Sequence, residues 1–151
     1  MRKILLLTLL SALLFPAAQA SEGMISMKSA HSVKETTDRL DRILRDKGMT
    51  VMKRVDHAAG AASVGRQLRP TELLIFGNPR IGTPLMQCNP GVAIDLPQKA
   101  LIWEDDSGRV WLAYNDPKYL ALRHDLRGCE EILDKVATAL GNFSAAATAV
   151  Q

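Results

Sequence analysis

The run Leu73-Leu74-Ile75-Phe76, entered after Pro70 and stopped by Gly77-Asn78-Pro79, constrains the fold more than any other stretch of the chain. Consecutive large apolar residues leave no polar position to face water, and the flanking breakers leave too little room for a helix. The run therefore predicts a strand covered on both faces. Gly77-Asn78-Pro79 ends it sharply, which assigns Asn78 mainly to holding that turn.

Such a strand needs neighbours, and the surrounding segments supply them. Ser32 and Glu35 stand at capping-box spacing before a helix whose apolar face carries Val33, Leu40, Ile43 and Leu44, with Thr36 or Thr37 between. Lys47-Gly48 stops it. Cys129 to Leu140 predicts a second amphipathic helix, with Ile132, Leu133, Val136, Ala137 and Leu140 on its apolar face and Gly141 after it. A small-residue helix is expected after Asp56, its cap. Another is expected to begin at Thr83-Pro84, with Leu85, Met86 and Cys88 inward and Asn89-Pro90-Gly91 as its close. Further strands are predicted over Met24 to Lys28, Met49 to Val55, Lys99 to Glu104 and Arg109 to Tyr114. The last two join around Asp105-Asp106-Ser107-Gly108, an antiparallel connection. This interchange predicts an α+β fold, a compact two-layer alpha/beta sandwich with one mixed sheet.

The ends of the chain differ from its middle. Arg2 and Lys3 precede a leucine-rich apolar run from Ile4 to Phe15, and Ala18 and Ala20 occupy the small-residue positions before a cut at Ser21. Residues 1–20 are expected to be a removable signal peptide, too short for a comfortable membrane span. Residues 21–144 form the domain and 145–151 a flexible, alanine-rich tail. The expected location is the periplasm or another extracytoplasmic space, as a soluble protein without stable membrane insertion after signal removal. The formal charge of +3 includes Arg2 and Lys3, which leaves +1 on the mature side chains. With no dense Lys/Arg block and no basic stripe interleaved with aromatics, a nucleic-acid partner is not expected.

Familiar catalytic signatures are missing: no GxGxxG follows a strand, and Walker A, GxSxG and HExxH motifs do not occur. Cys88 and Cys129 have neither CxxC nor metal-finger spacing. Export permits a bridge, but the reading favours two ordinary, partly buried thiols. His31, His57 and His124 share no regular ligand spacing, so no metal and no cofactor are expected. Trp103, Trp111 and Tyr114 read as core or subunit packing. Met24, Met27, Met49, Met52 and Met86 read mainly as flexible core filler, with a methionine surface for a ligand as their other use.

The best polar constellation is Asp56, His57, Asn78, Thr83 and Glu104, each near a strand end where side chains converge on a pocket. Asp56 is expected to cap its helix, to form one polar unit with His57, and with it to border the main ligand pocket. His57, Asp56 and Glu104 are the catalytic candidates of an enzymatic reading. Thr83 is read first as a helix cap and Glu104 first as the partner of a surface cation.

Three series of residues then resemble the DUF302 family: Asp56-His57-Ala58-Ala59, Leu68 through Pro79, and Gly82-Thr83-Pro84-Leu85-Met86. Asp95-Leu96-Pro97, Lys99 through Asp105 and Val110 through Pro117 continue the match, so that it covers Met24 to Leu140. The resemblance implies a compact alpha/beta fold with self-association, hence a homodimer, and implies no reaction. Cys88 stands where the family often has a small residue, so no thiol mechanism follows from it. The expected function is that of a noncatalytic cell-envelope protein that binds a small-molecule ligand or another copy of itself. The alternatives are an enzyme using Asp56 and His57 for acid-base chemistry and a thiol redox protein using Cys88 and Cys129.

Overall fold

A computed structural model describes residues 23–150, so the leader predicted over residues 1–20 lies outside the described residues. In chain order the elements are β1 (Met24–Ser29), α1 (Val33–Asp46), β2 (Thr50–Asp56), α2 (His57–Ser63), β3 (Thr71–Gly77) and α3 (Pro79–Cys88), followed by a 3-10 turn (Pro90–Ile94). Then come β4 (Gln98–Glu104), β5 (Val110–Asn115), α4 (Pro117–His124) and α5 (Glu130–Thr148).

The strands form one sheet in the order β1-β5-β4-β3-β2, and all four pairings are antiparallel. A strand-helix-strand start suggests a parallel pair and hence a mixed sheet. Here β1 and β2 do run the same way, but they lie at opposite edges, and β5, β4 and β3 fill the space between them in alternating directions. The helix α1 crosses over the sheet to connect those edges and packs beside α5 on one face.

Local chemistry places these elements. Ser32 Oγ accepts the Glu35 N–H at 3.2 Å, which satisfies one free donor at the start of α1. Val33, Leu40 and Leu44 then point into the core with Leu74, Phe76, Ile102 and Leu112 from the sheet and Leu133, Val136 and Leu140 from α5. The two buried threonines of α1 are satisfied locally: Thr37 Oγ1 donates to Val33 O at 2.8 Å, and Thr36 Oγ1 donates to Ser32 O at 2.8 Å while meeting Ser29 Oγ at 2.7 Å. Gly48, at φ +74°, ends α1 in a left-handed conformation that a side chain would disfavour.

Three expectations for individual elements change. First, β3 is covered on one face only: Leu74 and Phe76 are buried, whereas Leu73 and Ile75 are half-buried on the face opposite the helices. The register aligns Leu73 with Val55 and Leu101, and Leu101 with Ala113, in an apolar line across the face opposite α1 and α5. Second, α3 begins at Pro79 rather than Pro84, because Asn78 Oδ1 caps it by accepting the Arg80 N–H at 2.9 Å. Thr83 and Pro84 therefore lie inside the helix. Third, α5 runs through Thr148, so residues 145–148 are not a flexible tail. Ala147 is fully buried, Ala30 N donates to Thr148 O at 3.0 Å, and Arg39 donates to the Ala146 and Ala147 carbonyls at 3.1 and 3.0 Å.

Cys88 and Cys129 form a disulfide, with Cα atoms 6.6 Å apart, in place of the two thiols that the spacing favoured. The bridge joins the end of α3 to the start of α5, a proximity set by packing and invisible in a separation of 41 residues.

Candidate functional site

The functional cleft is built where β3 ends. Asn78 does two things there: its Oδ1 caps α3, and its Nδ2 donates to Gly48 O at 3.2 Å, which ties the α1–β2 turn to the start of α3. A β-bulge in β2 falls between Val51, opposite Phe76, and Lys53, opposite Ile75. Met52 is the extra residue; it leaves the ladder and lines the cleft beside Gly77. A Cβ on Gly77 would come 3.6 Å from Met52 Cε and 3.4 Å from Pro97 Cβ, so the missing side chain leaves room in the floor.

The resulting cavity of about 350 Å³ lies between β2, β3, α3 and the segment leading into β4. Its wall is apolar: Met49, Met52 and Met86 contribute thioethers, and Ile81, Leu85, Ala93, Leu96 and Pro97 complete the lining. The polar side chains are those of Asn78, Thr83 and Gln98, and no charged side chain lines it. Size and composition match small-molecule sites, in which an apolar wall supplies affinity and a few polar groups set orientation. A larger and more open groove of about 780 Å³ between α1 and α5 has a mixed lining, in which Lys47, Glu131, Asp134 and Lys135 stand beside Ile43 and Phe143.

A network of polar contacts holds the wall contributed by the 3-10 turn. His124 Nε2 lies 2.5 Å from Asp95 Oδ2, and Arg123 Nη1 donates to Asp95 Oδ1 at 3.2 Å. Asn89 Nδ2 donates to His124 O at 2.7 Å. Together they tie α4 to both ends of the turn. The disulfide fixes α3, the opposite wall, to α5.

The five polar candidates from the sequence do not meet. Asn78 and Thr83 line the cavity. Asp56 and His57 lie at the other end of β2: Thr50 pairs with Gly77 beside the cavity, whereas Asp56 pairs with Glu72. Six residues of strand put about 20 Å between those ends. Asp56 Oδ1 accepts the Ala59 N–H at 2.9 Å, which is the capping role expected of it. His57 is exposed at the first position of α2, and no hydrogen bond joins it to Asp56 among the described residues. The expectation that this pair borders the main pocket therefore fails on geometry. Glu104, beyond the paired end of β3, lies 3.7 Å from Arg69 Nη1, the surface cation partner expected for it. Among the described residues no three His, Cys, Asp or Glu side chains gather as a metal-ligand cluster.

The site residues that sequence reasoning missed are the cavity wall itself and Gln98. Met49, Met52 and Met86 carried a usable signal, since methionine suits adaptable binding surfaces as well as cores. Nothing in the sequence singled out Gln98, the first residue of β4, which is 8% exposed.

Comparison with known proteins places this architecture. A crystal structure of an uncharacterized conserved DUF302 protein from Bacillus stearothermophilus superposes with a TM-score of 0.76 at 18% identity, covering 84% of this chain and 99% of that one. Among curated proteins, the fluoride-specific ion channel FluC 1 of Brucella suis biovar 1 (strain 1330) is 51% identical over 110 residues, 73% of this chain and 43% of that protein. FluC 2 of Brucella melitensis biotype 1 matches equally over 41% of its length. The chain thus spans less than half the length of the curated relatives it matches. The family described as "Domain of unknown function DUF302" matches residues 25–145, and with nearly the whole described fold inside that match, the chain belongs to the DUF302 family.

Proposed function

We propose that this protein is a noncatalytic binding module of the cell envelope that takes a small, mainly apolar molecule into the methionine-lined cavity. The observation that carries this reading is the cavity itself: about 350 Å³, inset between fixed walls and free of charged side chains. Acid-base catalysis by Asp56 and His57 has less support, because the carboxylate is engaged in capping and the imidazole faces solvent away from the cavity. A thiol redox role has less support because both cysteines are joined in a bridge that spans two structural helices.

Export to the periplasm by the leader at residues 1–20 accords with this role, and no helix among the described residues is long and apolar enough to cross a membrane. The Brucella relatives are named as fluoride-specific ion channels, and that name supports an envelope setting for this chain.

The test uses mature protein from Ser21 onward and the neutral fluorophore N-phenyl-1-naphthylamine. Saturable binding of one molecule per chain is expected, with strong loss in Met52→Lys, a substitution at a half-exposed position of the cavity mouth. Absence of saturable binding, or affinity unchanged in Met52→Lys, overturns the reading.

Self-association is a second reading, favoured by the half-buried apolar row of Val55, Leu73 and Leu101 on the sheet face opposite α1 and α5. A half-buried apolar row on a sheet face gains by being covered by a second copy. Light scattering across a concentration series is expected to show a dimer that Leu101→Glu converts to monomer. One subunit mass throughout for the native protein removes the dimer.

A further inference from the structure

We infer that the cavity selects an uncharged ligand whose single polar head both donates and accepts hydrogen bonds, and that the Gln98 side-chain amide reads that head. This rests on the ligand-binding reading above and deepens it.

Gln98 is more than nine-tenths buried and lines the cavity, yet its side-chain amide has no hydrogen-bond partner among the described residues. Buried amides are ordinarily paired, because losing water without a replacement partner is costly. No side-chain nitrogen or oxygen is both fully enclosed and unpaired among the described residues, so the Gln98 amide retains contact with open space. That contact is assigned to the cavity, which Gln98 lines. A neutral amide offers two N–H donors and a carbonyl acceptor, and so complements a group carrying both functions, above all a primary carboxamide, which can return both bonds at once.

The surroundings reject charge. Lys99, the next residue, turns its ammonium to the Asp95 and Pro97 carbonyls, at 3.0 Å each. The Asp95 carboxylate is occupied by His124 and Arg123. A carboxylate or ammonium entering the cavity would therefore lose water without meeting an opposite charge. The thioethers of Met49, Met52 and Met86 adapt to varied apolar bodies, so the head group rather than the tail shape provides discrimination.

Displacement of N-phenyl-1-naphthylamine from mature protein at neutral pH tests this with four eight-carbon competitors: octanamide, octan-1-ol, octanoate and octylammonium. Octanamide is expected to displace at about tenfold lower concentration than either ion, with octan-1-ol between them. Gln98→Met, which keeps the side-chain length and removes the amide, is expected to lose the preference for octanamide over octan-1-ol, read as the ratio of their displacing concentrations within that variant. Equal displacement by octanoate or octylammonium in the native protein overturns the inference, as does a carboxamide preference that survives in Gln98→Met. If Gln98→Met loses the fold, Gln98→Glu supplies the second measurement: octanamide affinity is expected to fall at neutral pH, and an unchanged affinity overturns the inference. Failure of the native protein to bind the fluorophore at all removes the cavity reading, and this one with it.

Discussion

Cys88, exposed at the end of α3, is bonded to Cys129, buried just before α5, so one covalent link fixes a wall of the cavity to the longest helix of the domain. The link closes a separation of 41 residues. A loop of that length restricts the unfolded chain enough to contribute about 4 kcal/mol. The double variant Cys88→Ala/Cys129→Ala is expected to lose about that much in urea unfolding, and fluorophore affinity should fall with it as the α3 wall loosens. Unchanged urea midpoints would show that the bridge contributes nothing to stability.

Asp56 and His57 separate stability from binding. Asp56→Ala removes the Ala59 cap and is expected to cost about 1 kcal/mol, whereas His57→Ala at an exposed position stays within about 0.5 kcal/mol of the native protein. Both variants should bind N-phenyl-1-naphthylamine with native affinity, since both positions lie at the far end of β2 from the cavity. A titration showing weaker binding in folded His57→Ala would restore the pair to the site.

Asp105 makes the β4–β5 turn sensitive to acid. Its Oδ2 accepts the Trp111 Nε1–H at 2.9 Å and the Arg109 Nε–H at 2.8 Å, while Oδ1 accepts the backbone N–H groups of Ser107 and Arg109. These donors, the Trp111 indole foremost, hold the carboxyl well below the ordinary value of 3.8. Because the folded value is the lower one, the stabilisation is fully present above the unfolded carboxylate's titration and is lost as pH falls through the folded value. Thermal unfolding of native protein and Asp105→Asn from pH 7 downward should show a constant gap above about pH 5 that narrows under acid. A gap that does not change with pH would rule out the charged carboxylate as its source.

Residues 145–148 should behave as core. Truncation after Ser144 removes buried Ala147, the Thr148 carbonyl that accepts from Ala30 N, and the carbonyls that receive Arg39. A loss of at least about 2 kcal/mol in urea unfolding is expected. A truncated protein of native stability would return this segment to the status of a tail.

Local chemistry was legible in the residues themselves. Ser32 at capping distance from Glu35, Lys47-Gly48 after a spent apolar face, Asp56 ahead of small helix formers and the Asp105–Gly108 turn all act over a few residues, and the structure uses each of them. The helix α4 escaped notice because it is short and only weakly amphipathic, and is held between an Asp116 cap and a left-handed Asp125. Two Xaa-Pro pairs competed to start α3, and Asn78-Pro79 won over Thr83-Pro84 where Asn78 also bonds Gly48, a residue distant in sequence.

The sequence by itself determined most of the element types, the caps of α1 and α2 and the two-layer class, because backbone preference and apolar periodicity are properties of neighbouring residues. Only the tertiary structure decided which strand edges met, and so that Leu73 and Ile75 face away from the helices, that Cys88 reaches Cys129, and that Asp56 and Asn78 stand at opposite ends of the sheet. It likewise assembled the cavity from a bulge at Met52, a missing side chain at Gly77 and a buried amide at Gln98. Those residues converge through antiparallel register, which depends on pairing between distant segments rather than on any local pattern.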